Sequence, residues 1–393
     1  MEISISNIVN FKFLKIKNRN IFIYCTLICA FTTYIFQNIF NLGEIVAEGL
    51  PLIFGFIYFL AIIKKYLTIS IIPLTFYLII LIFFTQISII MNDGSYYQYI
   101  FIYYYLPAYL LYCSSKKIII DSDLIFKVIT FMSIISSLFG IAQFFYPESY
   151  IPIDLGRARG LSRSTLNYSS LLFIGYIASD YANFRSKKFI KFVIFLGVIC
   201  SLGRSAVLAI LIYEFFKSSN KIKFIVYISI VIASFLLITK ILISNGFDGL
   251  ILLNQRFTDA LNFTSNRANS ERLEHGYLRI LSEFTLIGKG LGSTGPASGR
   301  FYDGGTGFES FLLNIIYQGG IAFIIFMPFI IFFALQNFRF FNNKILAVII
   351  SYTTFMFGVQ TFETPAVNIT AWFLLIAILN LSLKKHKITK FRQ

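Results

Sequence analysis

Apolar runs of about 20 residues, each long enough to cross roughly 30 Å of hydrocarbon as a helix, recur along the whole chain. They predict twelve helical spans, at 21–40, 45–63, 67–91, 97–114, 124–146, 165–182, 188–203, 204–217, 222–243, 309–335, 343–362 and 365–383. The seventh and eighth are shortest because Gly203-Arg204 interrupts them, so one broken or re-entrant segment is the alternative there. Most connections are short. The exception is residues 244–308, long enough for a loop with work of its own.

That loop carries one amphipathic pattern. Ser270 is placed to cap a helix with Glu271 in its first turn, and Gly288 follows its end. At 100° per residue Leu273, Tyr277, Ile280, Leu281 and Phe284 share a face, while Arg272, Arg279 and Glu283 line the opposite one with His275 at its edge. Such a helix either lies on a membrane surface and turns its charges toward a site, or is an ordinary interfacial helix with a solvated face.

Composition agrees with the runs. The chain has 393 residues, is 57% hydrophobic and only 13% charged, and is too apolar for one or two soluble domains. The fold class predicted is therefore an all-α polytopic integral membrane protein: one transmembrane domain over residues 1–393, with about twelve helices and no soluble domain left over.

Charge then sets the expected orientation. With residues 1–20 inside, the alternate connections, the tail at 384–393 and Lys127 together put 23 of the 34 basic residues and 5 of the 18 acidic ones on the inner side, as the positive-inside rule requires. Both termini are expected to be cytoplasmic. The net charge of +16 is accounted for by topology and needs no nucleic-acid partner. The first span is too long for a signal-peptide core and no small-residue cleavage site follows, so it is expected to stay as a helix. Cys25, Cys29, Cys113 and Cys200 all lie in apolar spans without metal-type spacing and read as packing residues, with neither a disulfide nor a metal site expected.

Separating arginine from lysine changes the picture. Only 2 of 21 lysines fall on the outer side, against 9 of 13 arginines. Three of these, Arg157, Arg159 and Arg163, sit in Gly156-Arg-Ala-Arg-Gly-Leu-Ser-Arg-Ser-Thr-Leu-Asn167, within a short outer loop at 147–164. A planar guanidinium keeps its charge in a poorly solvated site and grips phosphate or carboxylate oxygens bidentately. The arginines therefore either bind an anion at the outer face, or pair with the outer carboxylates and lipid headgroups. Arg204 resists the second explanation most. It lies between two apolar runs, where an arginine costs about 2.5–3.5 kcal/mol, and so calls for a partner or a polar cavity.

Other features are ambiguous alone. Gly288-Lys-Gly-Leu-Gly-Ser-Thr-Gly295 has GxG spacing without the strand and helix of a nucleotide fingerprint, and reads as a tight loop. Glu309 is either a base at the membrane face or a plain acid at a helix N-terminus. His275 is either a catalyst or an ordinary loop residue. Asp180, Glu214 and Glu363 lie near span ends, where snorkelling accounts for them. The tyrosines at 96, 97, 99 and 103–105 form an interfacial belt or a sugar-stacking surface.

Taken in order, Arg157-Ala-Arg-Gly160 with Asn167, Leu202-Gly-Arg-Ser205 at a helix end, Arg272 ahead of Gly288-Lys-Gly-Leu-Gly292, and a helix ending Tyr317-Gln-Gly-Gly320 resemble the O-antigen polymerase and ligase family. The resemblance covers mainly residues 150–325. It implies a polytopic glycosyltransferase of the Gram-negative inner membrane acting at the periplasmic face, with loops 147–164 and 244–308 periplasmic. It implies substrates carried on undecaprenyl diphosphate, no metal or other cofactor, and a chain-length regulator and a flippase as partners beside the membrane lipids. It carries diphosphate or glycan contacts onto Arg157, Arg204 and Arg272, with Arg159, Arg163 and Arg279 behind them. Ligases of the family usually have a histidine before the helix that follows the long loop. Glu309 stands there in this chain, which favours a polymerase and leaves the general base open between Glu309 and His275. A ligase and a transporter for the lipid-linked repeat unit are the competing expectations. The transporter suits twelve spans with both ends inside, but no internal repeat supports it.

Overall fold

The computed structural model describes residues 16–63, 79, 82, 83, 85–87, 89, 90, 121–145, 157–244, 278, 282, 286, 288–290, 310, 313–320, 343–359 and 364–390. Among them the regular elements are all helices, as the apolar runs predict. They are α1 (Ile16–Phe31), α2 (Thr33–Asn38), α3 (Glu44–Ile63), α4 (Ser122–Phe145), α5 (Thr165–Tyr181), α6 (Lys187–Cys200), α7 (Arg204–Lys217), α8 (Lys221–Ser244), α9 (Asn343–Gly358) and α10 (Pro365–Lys390). A further helical stretch occupies 313–320. Most of the predicted spans 67–91, 97–114 and 309–335, and most of the loop 244–308, lie outside the described residues.

The run at 21–40 is not one helix. Thr32 turns its hydroxyl back onto the Ile28 carbonyl at 2.7 Å, and the backbone leaves helical geometry there at φ −112°, ψ 27°. A hydroxyl bonded to the carbonyl four residues earlier bends a helix, so the run divides into α1 and α2. The interruption at Gly203-Arg204 also divides its run, into α6 and α7 of 14 residues each. At 1.5 Å per residue each is about 21 Å long, short of the roughly 30 Å of a full crossing. One described helix, α4, is long and apolar enough to cross a membrane; Asn20–Phe31, Gly49–Tyr58, Asn343–Gly358 and Pro365–Ile378 are apolar over shorter lengths.

The core forms around α5, which is buried on nearly every side. Phe173 of α5 lies 4.7 Å from the Phe355 ring and 5.3 Å from the Tyr352 ring of α9. Phe126 of α4 stacks on Tyr181 at 5.2 Å, and Tyr58 of α3 meets Phe373 of α10 at 5.5 Å.

The interior of this bundle holds small polar residues among its apolar ones, and the outward face of α4 is largely apolar. On α4 the buried positions include Thr130, Ser133, Ser136, Ser137, Gly140 and Gln143, while Phe131, Leu138, Phe139 and Phe145 face outward, with Phe145 64% exposed. Small residues inside let backbones approach, as Gly and Ser do between helices in lipid. Gly175 of α5 is the clearest case, since a Cβ there would lie 1.8 Å from Ser133 Oγ and 2.4 Å from Ser133 Cβ. Gly175→Ala is expected to force α4 from α5 and lower stability by about 1–3 kcal/mol, read as a lower melting temperature of the purified full-length chain. Adding Ser133→Gly should recover most of the loss. A double variant no more stable than the single one would place the strain elsewhere.

Candidate anion-binding site

Five helix ends meet at one end of the bundle. Arg157 donates from Nε to the Ser201 carbonyl at 3.2 Å, and the Ala158 amide donates to the Cys200 carbonyl at 3.1 Å. These bonds seat the arginine loop on the C-terminus of α6, where orphan carbonyls and the negative dipole end favour a cation. Ser164 caps α5 by accepting from the Asn167 amide at 3.1 Å. Thr364, just before α10, donates to the Asn167 carboxamide oxygen at 3.2 Å, and Ser205 of α7 donates to the Gly358 carbonyl at the end of α9, also at 3.2 Å. Gly203 packs so closely against α5 that a Cβ there would lie 2.9 Å from Ser169 Cβ.

The loop itself is held from two sides. Gln143 of α4 accepts from the Arg159 and Gly160 amides at 3.1 and 2.9 Å and donates to the Gly160 carbonyl at 3.0 Å. Opposite, the Arg163 amide donates to Thr33 Oγ1 at 3.2 Å, and the Tyr34 amide donates to the Leu161 carbonyl at 3.2 Å. The Arg159 guanidinium lies over the Tyr34 ring, 4.7 Å from its centre, close enough for a cation–π contact. Its Nε is buried with no hydrogen-bond partner among the described residues.

At the head of α7 the electrostatics favour a negative group, an acidic side chain or a bound anion alike. Arg204 is the first residue of α7, which has no acidic residue in its first turn and no side-chain cap. A helix N-terminus is already the positive end of the dipole. Placing a cation there is unfavourable alone and becomes favourable when a negative group sits against both. The turn before it is tight, because Leu202 takes a left-handed conformation at φ 54°, which costs a non-glycine residue about 1–2 kcal/mol.

Of the arginines singled out from the sequence, the structure gathers Arg157, Arg159, Arg163 and Arg204 into this region. Arg272, His275, Arg279 and Glu309 lie outside the described residues. The glycine motif does come into contact with the later helix. The amides of Lys289 and Gly290 donate to the carbonyls of Tyr317 and Gln318 at 3.0 and 3.1 Å. A Cβ on Gly288 would meet Gln318 O at 2.3 Å, and its φ is +76°. Ser310, at the start of this helical stretch, reaches the Met356 carbonyl of α9 at 3.4 Å.

Snorkelling does not describe Asp180 and Glu214. At the far end of the same helices they form a buried ring of alternating charge with Lys191 and Lys217. Lys191 contacts both Asp180 oxygens at 3.2 Å and also Glu214. Lys217 contacts Asp180 at 2.7 Å and Glu214 at 3.3 Å, and Tyr213 donates to Asp180 at 2.8 Å. Asp180 is too enclosed to be reaching for water, with its side chain 12% exposed. Glu363 lies outside the described residues. Because the ring joins the end of α5, the start of α6 and the end of α7, α6 runs antiparallel to both neighbours. The arginine loop and the ring therefore occupy opposite ends.

Gln143, Thr33, Tyr34 and the charged ring were not singled out by sequence reasoning. Gln143 had one visible signal, an amide inside an otherwise apolar run. No protein-family model matches the chain, and no curated protein matches it either.

Proposed function

We propose that this chain is a surface-polysaccharide polymerase of the O-antigen kind, embedded in a bacterial inner membrane by about twelve helices with both termini cytoplasmic. The observation that carries the reading is the meeting of the 157–163 loop with the 201–204 turn, which puts an arginine loop beside an arginine-headed helix N-terminus at one end of the bundle. The membrane setting is supported by the apolar outward face of α4 and by α8, whose Ile222, Ile225, Val226, Tyr227, Ile230, Leu237 and Ile241 are all exposed. An apolar surface that continuous is out of place in water and ordinary in lipid.

In this reading the donor is a glycan on undecaprenyl diphosphate, and the acceptor is a sugar hydroxyl at the non-reducing end of a new lipid-linked repeat unit. The acceptor oxygen attacks the anomeric carbon and the bond from that carbon to the diphosphate oxygen breaks. The electron pair leaves with the diphosphate, and the hydroxyl proton passes to Glu309, with His275 as the alternative base. Direct displacement inverts the anomeric centre. Arg157, Arg204 and Arg272 stabilise the departing negative charge without a metal, backed by Arg159, Arg163 and Arg279. A flippase supplies the repeat unit and a chain-length regulator limits the product.

The test is a gel of surface lipopolysaccharide from a strain lacking the gene, beside the parent and an Arg204→Ala complement. The expected result is core bearing a single repeat unit, with the ladder gone in both. Bare core with long polymer still on the lipid carrier would instead mean a ligase. Bare core with repeat units held on the cytoplasmic side would mean a transporter.

A further inference from the structure

We propose that Gln143 is the positioning residue of this site, fixing the main chain from which Arg157 and Arg159 project; the inference rests on the polymerase reading for its consequence, though not for its geometry. Gln143 is 9% exposed and lies in the last turn of α4, 16 residues before the nearest residue it binds. All three of its hydrogen bonds among the described residues go to the Arg159–Gly160 backbone. They use both lone pairs of the oxygen and one of the two N–H groups. No other natural side chain of this length offers a neutral acceptor and a donor together.

The local chain needs such a clamp. Gly160 is left-handed at φ +55°, and a Cβ there would lie 2.4 Å from the Tyr168 ring and 2.7 Å from Ser136 Oγ. The loop is therefore pressed against the bundle at its tightest point, while its arginines flank that point on both sides. Nothing in regular secondary structure satisfies the amides of Arg159 and Gly160, and Gln143 does so in place of a neighbouring strand. Packing of α4 on α5 is made elsewhere, by contacts such as Ser133 on Gly175. Loss of the carboxamide therefore frees the loop while the bundle stays assembled.

The experiment uses the purified full-length chain in detergent and in vesicles supplied with its undecaprenyl-diphosphate-linked repeat unit. In Gln143→Leu, amide hydrogen exchange over 157–163 should rise about tenfold or more while exchange in α5 and α9 stays put. Polymer formation should fall as far as in Arg159→Ala, and the double variant should be no worse than Arg159→Ala alone. Gln143→Glu keeps the acceptor and loses the donor, so its loop exchange should fall between wild type and Gln143→Leu. Gly175→Ala is the control for general weakening: it should lower the melting temperature and spare the rate of polymer formation at temperatures below it.

Unchanged loop exchange in Gln143→Leu would overturn the inference. So would faster exchange with polymer formation intact, or a loss of polymer matched by Gly175→Ala at equal loss of melting temperature. If the wild-type chain forms no polymer, the polymerase reading fails, and loop exchange alone then decides whether Gln143 holds the loop.

Discussion

Lys191→Met should lower the stability of the chain by about 3–5 kcal/mol, the range for leaving one partner of a buried ion pair uncompensated. Lys191 touches both carboxylates of the charged ring, and only Lys217 would remain between Asp180 and Glu214. Lys191 also lies over the Tyr176 ring at 4.4 Å, so methionine keeps most of the packing and the loss isolates the charge. Adding Glu214→Gln returns the ring to one positive and one negative group. That double variant should recover the larger part of the lost stability, because a neutral set of buried groups is far less costly than an unbalanced one. Both effects are read as the melting temperature of the purified chain and its amount in the cell membrane. A single variant that melts with wild type would mean that water reaches the ring and screens it.

Arg204→Lys should reduce polymer formation about 10²–10³-fold, the usual effect of losing one preorganised contact to a developing negative charge. The charge is kept, so the loss measures shape. Lysine offers a compact ammonium where arginine offers a planar fork matched to two phosphate oxygens, and the first turn of α7 itself holds no acid to steer it. The measurement is the ladder in a complemented strain, normalised to the amount of chain in the membrane. Parental polymer at equal chain level would remove Arg204 from the mechanism, whatever the rest of the site does.

The helical architecture was legible because runs of apolar residues are local signals, and the division at Gly203-Arg204 was legible because a charge there interrupts one. The arginine loop stood out for the same reason. Thr32 was not read as a break, since its effect depends on a hydroxyl choosing the Ile28 carbonyl and on Thr33 having Arg163 to bond across 130 residues. The charged ring escaped because each of its members has an adequate private explanation near a span end. Only the meeting of three helix ends turns two carboxylates read as snorkelling and two lysines read as topology signals into one network. Gln143 escaped because its partners lie beyond the end of its own helix, along a path that no periodicity encodes. The other candidates, Arg272, His275 and Arg279 on the long loop and Glu309 at the head of the next span, rest on sequence alone.

The apolar outer face of α4 has a bearing on how such a chain evolves. In the membrane setting proposed above, outward positions such as Phe131, Leu138 and Phe139 are asked only to be oily, so Phe, Ile, Leu and Val are interchangeable there and substitutions accumulate almost without penalty. The demanding positions are few, scattered and small or polar: Ser133 against Gly175, Gln143 against the loop, Asn167 against Thr364. A lineage built this way drifts quickly in overall identity while its architecture stands still. Kinship between distant members would then survive in a thin scatter of interior residues rather than in any continuous stretch of sequence.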